Sequence, residues 1–463
     1  MVESGRLESG YSDSNRNRGF ESHSLYQKVL ERNMKIYTKQ APLLVLFITA
    51  LLSSPLYSII DNRYLPLFDV GLPRLPRKPS SFFINAFVMQ AKQGYDRDGE
   101  EIHIPELFGK YDLYDINDSM NKVGIVNPLF LDPWYLQSEI IWNMTGKIQV
   151  QGFSFGWEQA LLRISRCGVA ACNASLGVKS GFLHATSEQR FSLSQEAQKA
   201  FKIINNGELY QGQAVALELA RMNANTLLGI EAPHWKKDSW EDTEVYARFG
   251  VTWDYVLKCR SIDLGLIVGG IVPTAAKRDI YNTASIPLGG DGFPGMFIKF
   301  NTQLEAREDW FLGFWIQATY RFAETRKQRM PVGEENPLWG AVVADAKVTP
   351  GMTFGISPFV ALEDFYEGWG ALLRFTYINH RRDCWIDKRE NPQVTVEHGR
   401  LYDLSRWEME YFSLGVLYDG CDGWFGKGRS PRFYFKADIP THLFRSQLAA
   451  KTYKFTLGLE VNY

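Results

Sequence analysis

The chain has 463 residues, with 51 basic and 52 acidic side chains and a formal net charge of −1. That balance offers no global field to nucleic acid or to an anionic membrane surface, and the length fits either several soluble domains or one large barrel. Aromatic residues make up 14% of the chain, with 13 Trp, which points to strands and membrane interfaces, and the five cysteines lack the C-x-x-C spacing of a zinc or redox site.

In chain order, the first feature is a continuous apolar stretch over 41–60, preceded by Lys28, Arg32, Lys35 and Lys39. The run 42–52 has the length of a signal-peptide core, and Ser53, Ser54 and Ser58 are small residues suited to cleavage, with Leu56 a poor fit to the A-x-A pattern. The expectation is a leader and signal peptide over 1–58, removed near Ser58. Met34 is a candidate true start because 34–40 alone makes a normal basic region, and an uncleaved anchor is the alternative.

Beyond this point the pattern changes to alternation. A chain that crosses a membrane as strands sets apolar side chains toward lipid and polar ones toward the lumen at every second residue, for about ten residues per strand. Candidates are 82–92, 147–158 and 168–183, the last setting Cys172, Ala174, Leu176 and Val178 against Asn173, Ser175 and Lys179. The connection 184–242 reads as helical over 195–205 and 211–228. Ser192 and Gln195 suit a capping box, Gly207 and Gly229 suit helix ends, and Val215, Leu219 and Met222 share a face. Such an insert either caps or plugs a pore or is a surface loop seated by its apolar residues.

The C-terminal half alternates repeatedly, at 245–257, 262–272, 296–305 and 310–322. The stretch 342–362 keeps its even-numbered apolar row across Pro350, which predicts one strand with a bend there. Strands follow at 369–380, at 405–418 with a change of face near Tyr411 that predicts a bulge, and at 431–440. In the last, 453–463, Tyr453, Phe455, Leu457, Leu459, Val461 and Tyr463 alternate with polar residues and glycine. The sum is an all-β, antiparallel up-and-down transmembrane barrel of about twelve strands over 82–463, preceded by a Pro-rich periplasmic segment at 59–81.

Loop lengths sort in the way such barrels require, short on the periplasmic side and long outside. With the C-terminus in the periplasm, 258–261, 306–309, 363–368 and 419–430 are periplasmic, and 93–146, 184–242, 274–295, 325–340, 381–404 and 441–450 are external. Tyr255, Trp310, Trp369, Tyr418 and Tyr463 then fall at one rim, and Tyr320, Phe322, Tyr377 and Tyr453 at the other. A β-sandwich explains the aromatics but has no need for one-sided loops.

The same alternation assigns a lumen lining. Arg248, Asp254, Asp263, Lys299, Glu305 and Arg321 come from the middle strands, and Asp345, Lys347, Arg374, Lys436, Asp438, Lys454 and Glu460 from the later ones; Glu244, Glu408, Glu410 and Arg432 join them. Acids and bases nearly balance, so the lining either holds water as a passive path for small polar solutes without strong ion preference or pairs across the lumen and helps to close it. Cys167 and Cys259 fall near one rim on neighbouring strands, where a disulfide is permitted by compartment; two free thiols are the alternative. His380 with Asp383, and Glu397 with His398, lack any defining catalytic motif, so neither an enzyme nor a cofactor is expected.

The terminal strand, ending on the aromatic Tyr463, resembles the terminal signal of bacterial outer-membrane proteins that the barrel-assembly machinery reads, although that family usually ends in Phe. The segments APHWK at 232–236, PLGGDG at 287–292 and DCWID at 383–387 are similar to those of porin-like proteins from the bacterial lineage Dependentiae, over roughly the C-terminal half. The resemblance implies a Gram-negative outer-membrane, porin-like role in contact with lipid, and carries over no catalytic residue. A non-conducting adhesin or surface scaffold is the alternative, and assembly into a homo-oligomer is left open.

Overall fold

The structure, a computed structural model, describes residues 62–66, 72, 80–125, 139–166, 170–204, 211–257, 259–420 and 430–463. The expected signal peptide, its cleavage site and Met34 lie outside these residues.

Twelve antiparallel strands close into a barrel. They are β1 (Ser81–Ala91), β2 (Ile141–Arg166), β3 (Ala170–Leu193), β4 (Thr243–Asp254), β5 (Ser261–Val272), β6 (Gly295–Arg307), β7 (Trp310–Arg321), β8 (Thr353–Tyr366), β9 (Trp369–His380), β10 (Trp407–Asp419), β11 (Ser430–Thr441) and β12 (Tyr453–Asn462). Each pairs with its neighbour in sequence. The ring shuts where β1 meets β12, with Ser81 opposite Asn462 and Gln90 opposite Tyr453. Closure leaves no open sheet edge, which is the condition for placing strands in hydrocarbon.

The two-residue period of the side chains decides which solvent each face meets. On β12 the outward Tyr453, Phe455 and Leu457 are exposed, while Lys454 and Thr456 are buried in the interior. Phe82, Val88, Phe249, Val268, Leu373 and Phe435 extend the same exposed apolar belt around the barrel. A belt of this extent is far beyond the isolated patches of a soluble monomer. At the end that carries the short turns, Trp157 donates its indole N–H to the Tyr463 hydroxyl at 2.8 Å, and Trp369 packs on Tyr418 with ring centroids 5.2 Å apart. Leu457, 65% exposed in the middle of β12, is the place to test the belt. Leu457→Arg is expected to cost about 2–4 kcal/mol, the range for a cation at the bilayer midplane, in reversible unfolding from lipid vesicles.

The turns sort as expected. The strand pairs β2–β3, β4–β5, β6–β7, β8–β9 and β10–β11 are close in sequence at one end of the barrel, with described turns at 308–309 and 367–368. The one at 367–368 places Glu367 and Gly368 at φ of 45° and 87°, and the Asp364 carboxylate accepts from the Gly368 N–H at 2.6 Å. The described parts of the long connections lie at the other end, where they fold together as a cap. The cap contains helices α1 (Leu113–Lys122), α2 (Gln195–Ile204), α3 (Gln211–Leu227) and α4 (His398–Ser405) and a sheet of Glu324–Met330, Val342–Thr349 and Cys384–Asp387. Asp112 caps α1, accepting from the N–H groups of Tyr114 and Ile140 at 2.9 Å each. Tyr111, Ile116, Met144, Ala224, Trp339 and Ala346 belong to one buried cluster that joins these pieces.

Four expectations are corrected. The stretch 342–362 is two strands, Val342–Thr349 in the cap and β8 in the barrel. Pro350 has no N–H to continue a ladder, and Gly351 lies so close to the Arg381 carbonyl that a Cβ would stand 2.0 Å from its oxygen. Asp345 and Lys347 are therefore exposed on the cap sheet and do not line the lumen. No bulge occurs at Tyr411, because β9 and β10 pair without a break from Trp369 and Tyr418 to His380 and Trp407. Trp407, Met409 and Tyr411 thus face inward. Glu408 and Glu410 face outward at the cap end, where Glu410 accepts from the backbone N–H groups of Leu443, Phe444 and Arg445 at 2.8, 3.0 and 2.6 Å. The connection 184–242 starts only after Leu193, since β2 and β3 run beyond the belt into the cap. Finally, the face of α3 that packs is Leu217, Ala220 and Ala224, whereas Val215, Leu219 and Met222 are exposed.

Candidate functional site

The lumen is filled with paired polar groups at the positions that alternation turns inward. Arg248 donates to Asp263 at 2.6 Å and to Asn173 at 2.7 Å, and Thr252 donates to the other Asp263 oxygen at 2.8 Å. Lys299 meets Glu244 at 2.8 Å. Arg321 is 2.7 Å from Asp242, whose same oxygen accepts from the Gly290 N–H at 2.7 Å. A Cβ at Gly290 would overlap the Arg321 guanidinium, so a larger residue there would displace it from Asp242. The buried Arg432 donates to Glu363 and, at 3.0 Å, to Asp419. Glu305 accepts from Ser261 at 2.9 Å, and Lys436 lies 3.7 Å from Asp438. Arg374 sits over the Phe359 ring at 5.6 Å, and Lys454 donates to the Pro66 carbonyl at 3.4 Å. Asp254 is exposed at the turn end. Charges in a low-dielectric interior persist only when partnered in this way.

Sequence reasoning missed the segment before β1. Within 59–81, expected in the periplasm, the described residues 62–66 and 72 are buried inside the barrel and against its cap. Asn62 accepts from the N–H groups of Tyr64 and Leu65 at 3.0 and 3.2 Å, forming a tight local turn. Arg63 donates to the carbonyls of Leu404 and Ser405 at 2.6 and 3.1 Å, and its own carbonyl accepts from the Ala450 N–H at 2.8 Å. Leu72 packs with Phe311, Phe359, Leu372, Leu417 and Tyr434 nearer the turn end. The only hint in the sequence is a pair of leucines, Leu65 and Leu72, among prolines.

Among the described residues, cavities of about 110 Å³ each lie at two places along the lumen. The one on the cap side is lined by Leu65, Asp242, Arg321, Thr353 and Trp407, and the one on the turn side by Leu72, Phe83, Glu158, Tyr434 and Glu460. Lys179, Glu244 and Lys299 line both, so the Lys299–Glu244 ion pair stands at the waist between them. A water needs about 10–15 Å³ of such space, so each cavity has room for several.

His380 and Asp383 do come together. The ring is fully buried, stacked on Trp407 at 5.5 Å, with Nδ1 2.8 Å from the Thr353 hydroxyl and Nε2 3.1 Å from Asp383. Asp383 also accepts from the Gly351 N–H at 2.8 Å, so the cluster ties β9 to the cap at the Pro350 corner. Of the Cys167–Cys259 pair, Cys167 lies outside the described residues and Cys259 is a half-buried free thiol. Among the described residues no group of His, Cys, Asp and Glu has a metal-ligating arrangement.

No family model and no curated protein matches the chain. The segments APHWK, PLGGDG and DCWID thus have no counterpart in a matched sequence. Solved structures do match in part. An outer membrane channel from Pseudomonas putida F1 is similar with a TM-score of 0.42 and 9% identity, covering 86% of this chain and 99% of that one. The transport unit of the autotransporter AIDA-I from Escherichia coli follows at 0.35 and 8%, covering 86% and 94%. A FadL homologue from Pseudomonas aeruginosa stands at 0.30 and 8%, covering 83% and 89%. On its own strand pairing, the chain is a closed antiparallel barrel of twelve strands with an apolar outer belt and a polar, plugged lumen.

Proposed function

We propose that the protein is a transport barrel of the Gram-negative outer membrane, a narrow channel for small polar solutes whose path is constricted by residues 62–66. The observation that carries this reading is the pair of cavities, lined by charged as well as apolar side chains, one on each side of the Lys299–Glu244 waist and sharing the same three charged lining residues. A barrel of about twelve strands falls between the filled small barrels and the open porins, so a lumen with a removable constriction suits its size. The outer-membrane location is supported by the exposed apolar belt, and the barrel-assembly machinery is the partner expected of such a barrel. The Dependentiae-like segments agree with a porin-like role, and chemistry is no part of this reading.

A second reading, a non-conducting surface scaffold, is favoured by the cap, whose helices and sheet share a buried core. Recording from the folded full chain in planar bilayers separates the two. Stepwise currents of small amplitude are expected of the channel, and silence from folded protein leaves the scaffold.

A further inference from the structure

A third cavity, of about 190 Å³, lies between the plug and the cap and differs from the lumen in its charge. Its lining side chains include six cations, Arg63, Lys277, Arg278, Arg326, Lys327 and Arg329, and among the described residues Asp291 is the one carboxylate. Asp291 is already engaged by Arg326. Arg329 spends its donors on the carbonyls of Ile280, Gly340 and Leu228, at 3.0, 2.9 and 3.0 Å, which leaves its charge without an acid partner. Burial is the main cause that lowers the Arg63 and Arg329 guanidinium groups to about 10, and neighbouring Arg278 adds to it in both.

The hydrogen-bonding inventory points the same way. Arg63 is only 2% exposed, yet its Nη1 has no partner among the described residues. Arg278 Nε and the Trp385 indole N–H, both buried and both on residues that line this cavity, also have none. Among the described residues, three donors without acceptors thus sit on residues that border one space, an arrangement that costs free energy. The rest of the wall is apolar. Phe108 carries the Arg63 guanidinium at 4.7 Å and the Arg278 guanidinium at 5.7 Å from its ring centroid, and Leu338, Leu401 and Leu404 complete that side.

We propose that this cavity is a binding site for a small organic anion, a carboxylate with a compact apolar body, held at the plug before it enters the lumen. The carboxylate oxygens accept from Arg63, Arg278 and Trp385, as guanidinium forks are shaped to allow, and the apolar body lies against Phe108 and the leucines. For its physiological role the inference rests on the transport reading, where it names the class of solute, but binding is measured without any current.

The test is calorimetric titration of the folded full chain in detergent with benzoate, and with benzamide as its uncharged counterpart. Saturable benzoate binding is expected, with benzamide at least tenfold weaker. Arg278→Gln, which leaves the Arg63 anchors to Leu404 and Ser405 in place, is expected to weaken benzoate at least tenfold while the protein keeps its folded mobility on unheated gels. Folded protein that does not bind benzoate, binds benzamide equally well, or binds benzoate unchanged in both Arg278→Gln and Arg63→Gln overturns the proposal. Protein that binds benzoate but passes no current keeps this site and loses the channel.

Discussion

Replacing Arg63, Tyr64 and Leu65 together by Gly, Ser and Gly is expected to raise the single-channel conductance severalfold over the unsubstituted protein. Side chains supply part of what holds the segment, beside bonds to its backbone from Ala450 and Thr452. Arg63 supplies two bonds to the α4 carbonyls, Leu65 forms part of the cap-side cavity wall, and Tyr64 is buried against the loops around it. Removing these side chains takes away the anchors and bulk that narrow the cap side of the lumen, while the twelve-stranded ring keeps its own ladder of backbone bonds. The barrel does not need this segment to close, because β1 begins after it and pairs with β12 without its help. Unchanged conductance in folded protein means that the constriction lies elsewhere, with the Lys299–Glu244 waist as the next position to open.

The second large effect is on stability. Arg432→Met is expected to cost about 3–5 kcal/mol, because it strands Glu363 inside the barrel and removes a partner of Asp419. Adding Glu363→Leu is expected to recover most of that loss, since replacing both members of a buried pair by apolar groups removes the desolvation cost together with the attraction. Urea unfolding in phospholipid vesicles measures both. Equal stability of Arg432→Met and the parent would mean that water reaches this end of the lumen and screens the carboxylates.

Much of the barrel is legible in the sequence because its physics is local. Each strand must serve two solvents, so Tyr453 to lipid and Lys454 to the interior are decided residue by residue. The same rule explains the failure at Pro350. Val342–Thr349 also has one packed and one exposed face, as any half-buried strand does, so alternation identifies a strand without saying which sheet it joins. At β10 the apolar Trp407 and Met409 turn inward because the cap and its loops cover that end of the lumen, and a greasy residue there no longer signals lipid. The choice of face on α3 was hidden for a related reason. Both sides carry apolar residues, and the close packing in the cap selects the smaller Ala220 and Ala224 over Leu219 and Met222. The plug has no periodicity at all. Its place depends on partners hundreds of residues away, such as Arg63 with Leu404, and no local pattern announces them. Inward charges such as Arg248, Asp263, Lys299 and Arg321 follow from alternation, whereas Asp345, Lys347, Glu408 and Glu410 do not face the lumen, and the pairing of the inward ones depends on register between strands.

The most direct measurement is a scan of spin labels, one cysteine at a time along 453–463 in protein freed of its native cysteines and refolded into lipid vesicles. Relaxation by oxygen, which concentrates in lipid, is expected to be strong at 453, 455, 457, 459 and 461 and weak at the even positions between them. A scan without that two-residue period, or with the even positions facing lipid, contradicts the ring of strands on which the transport path and its plug depend.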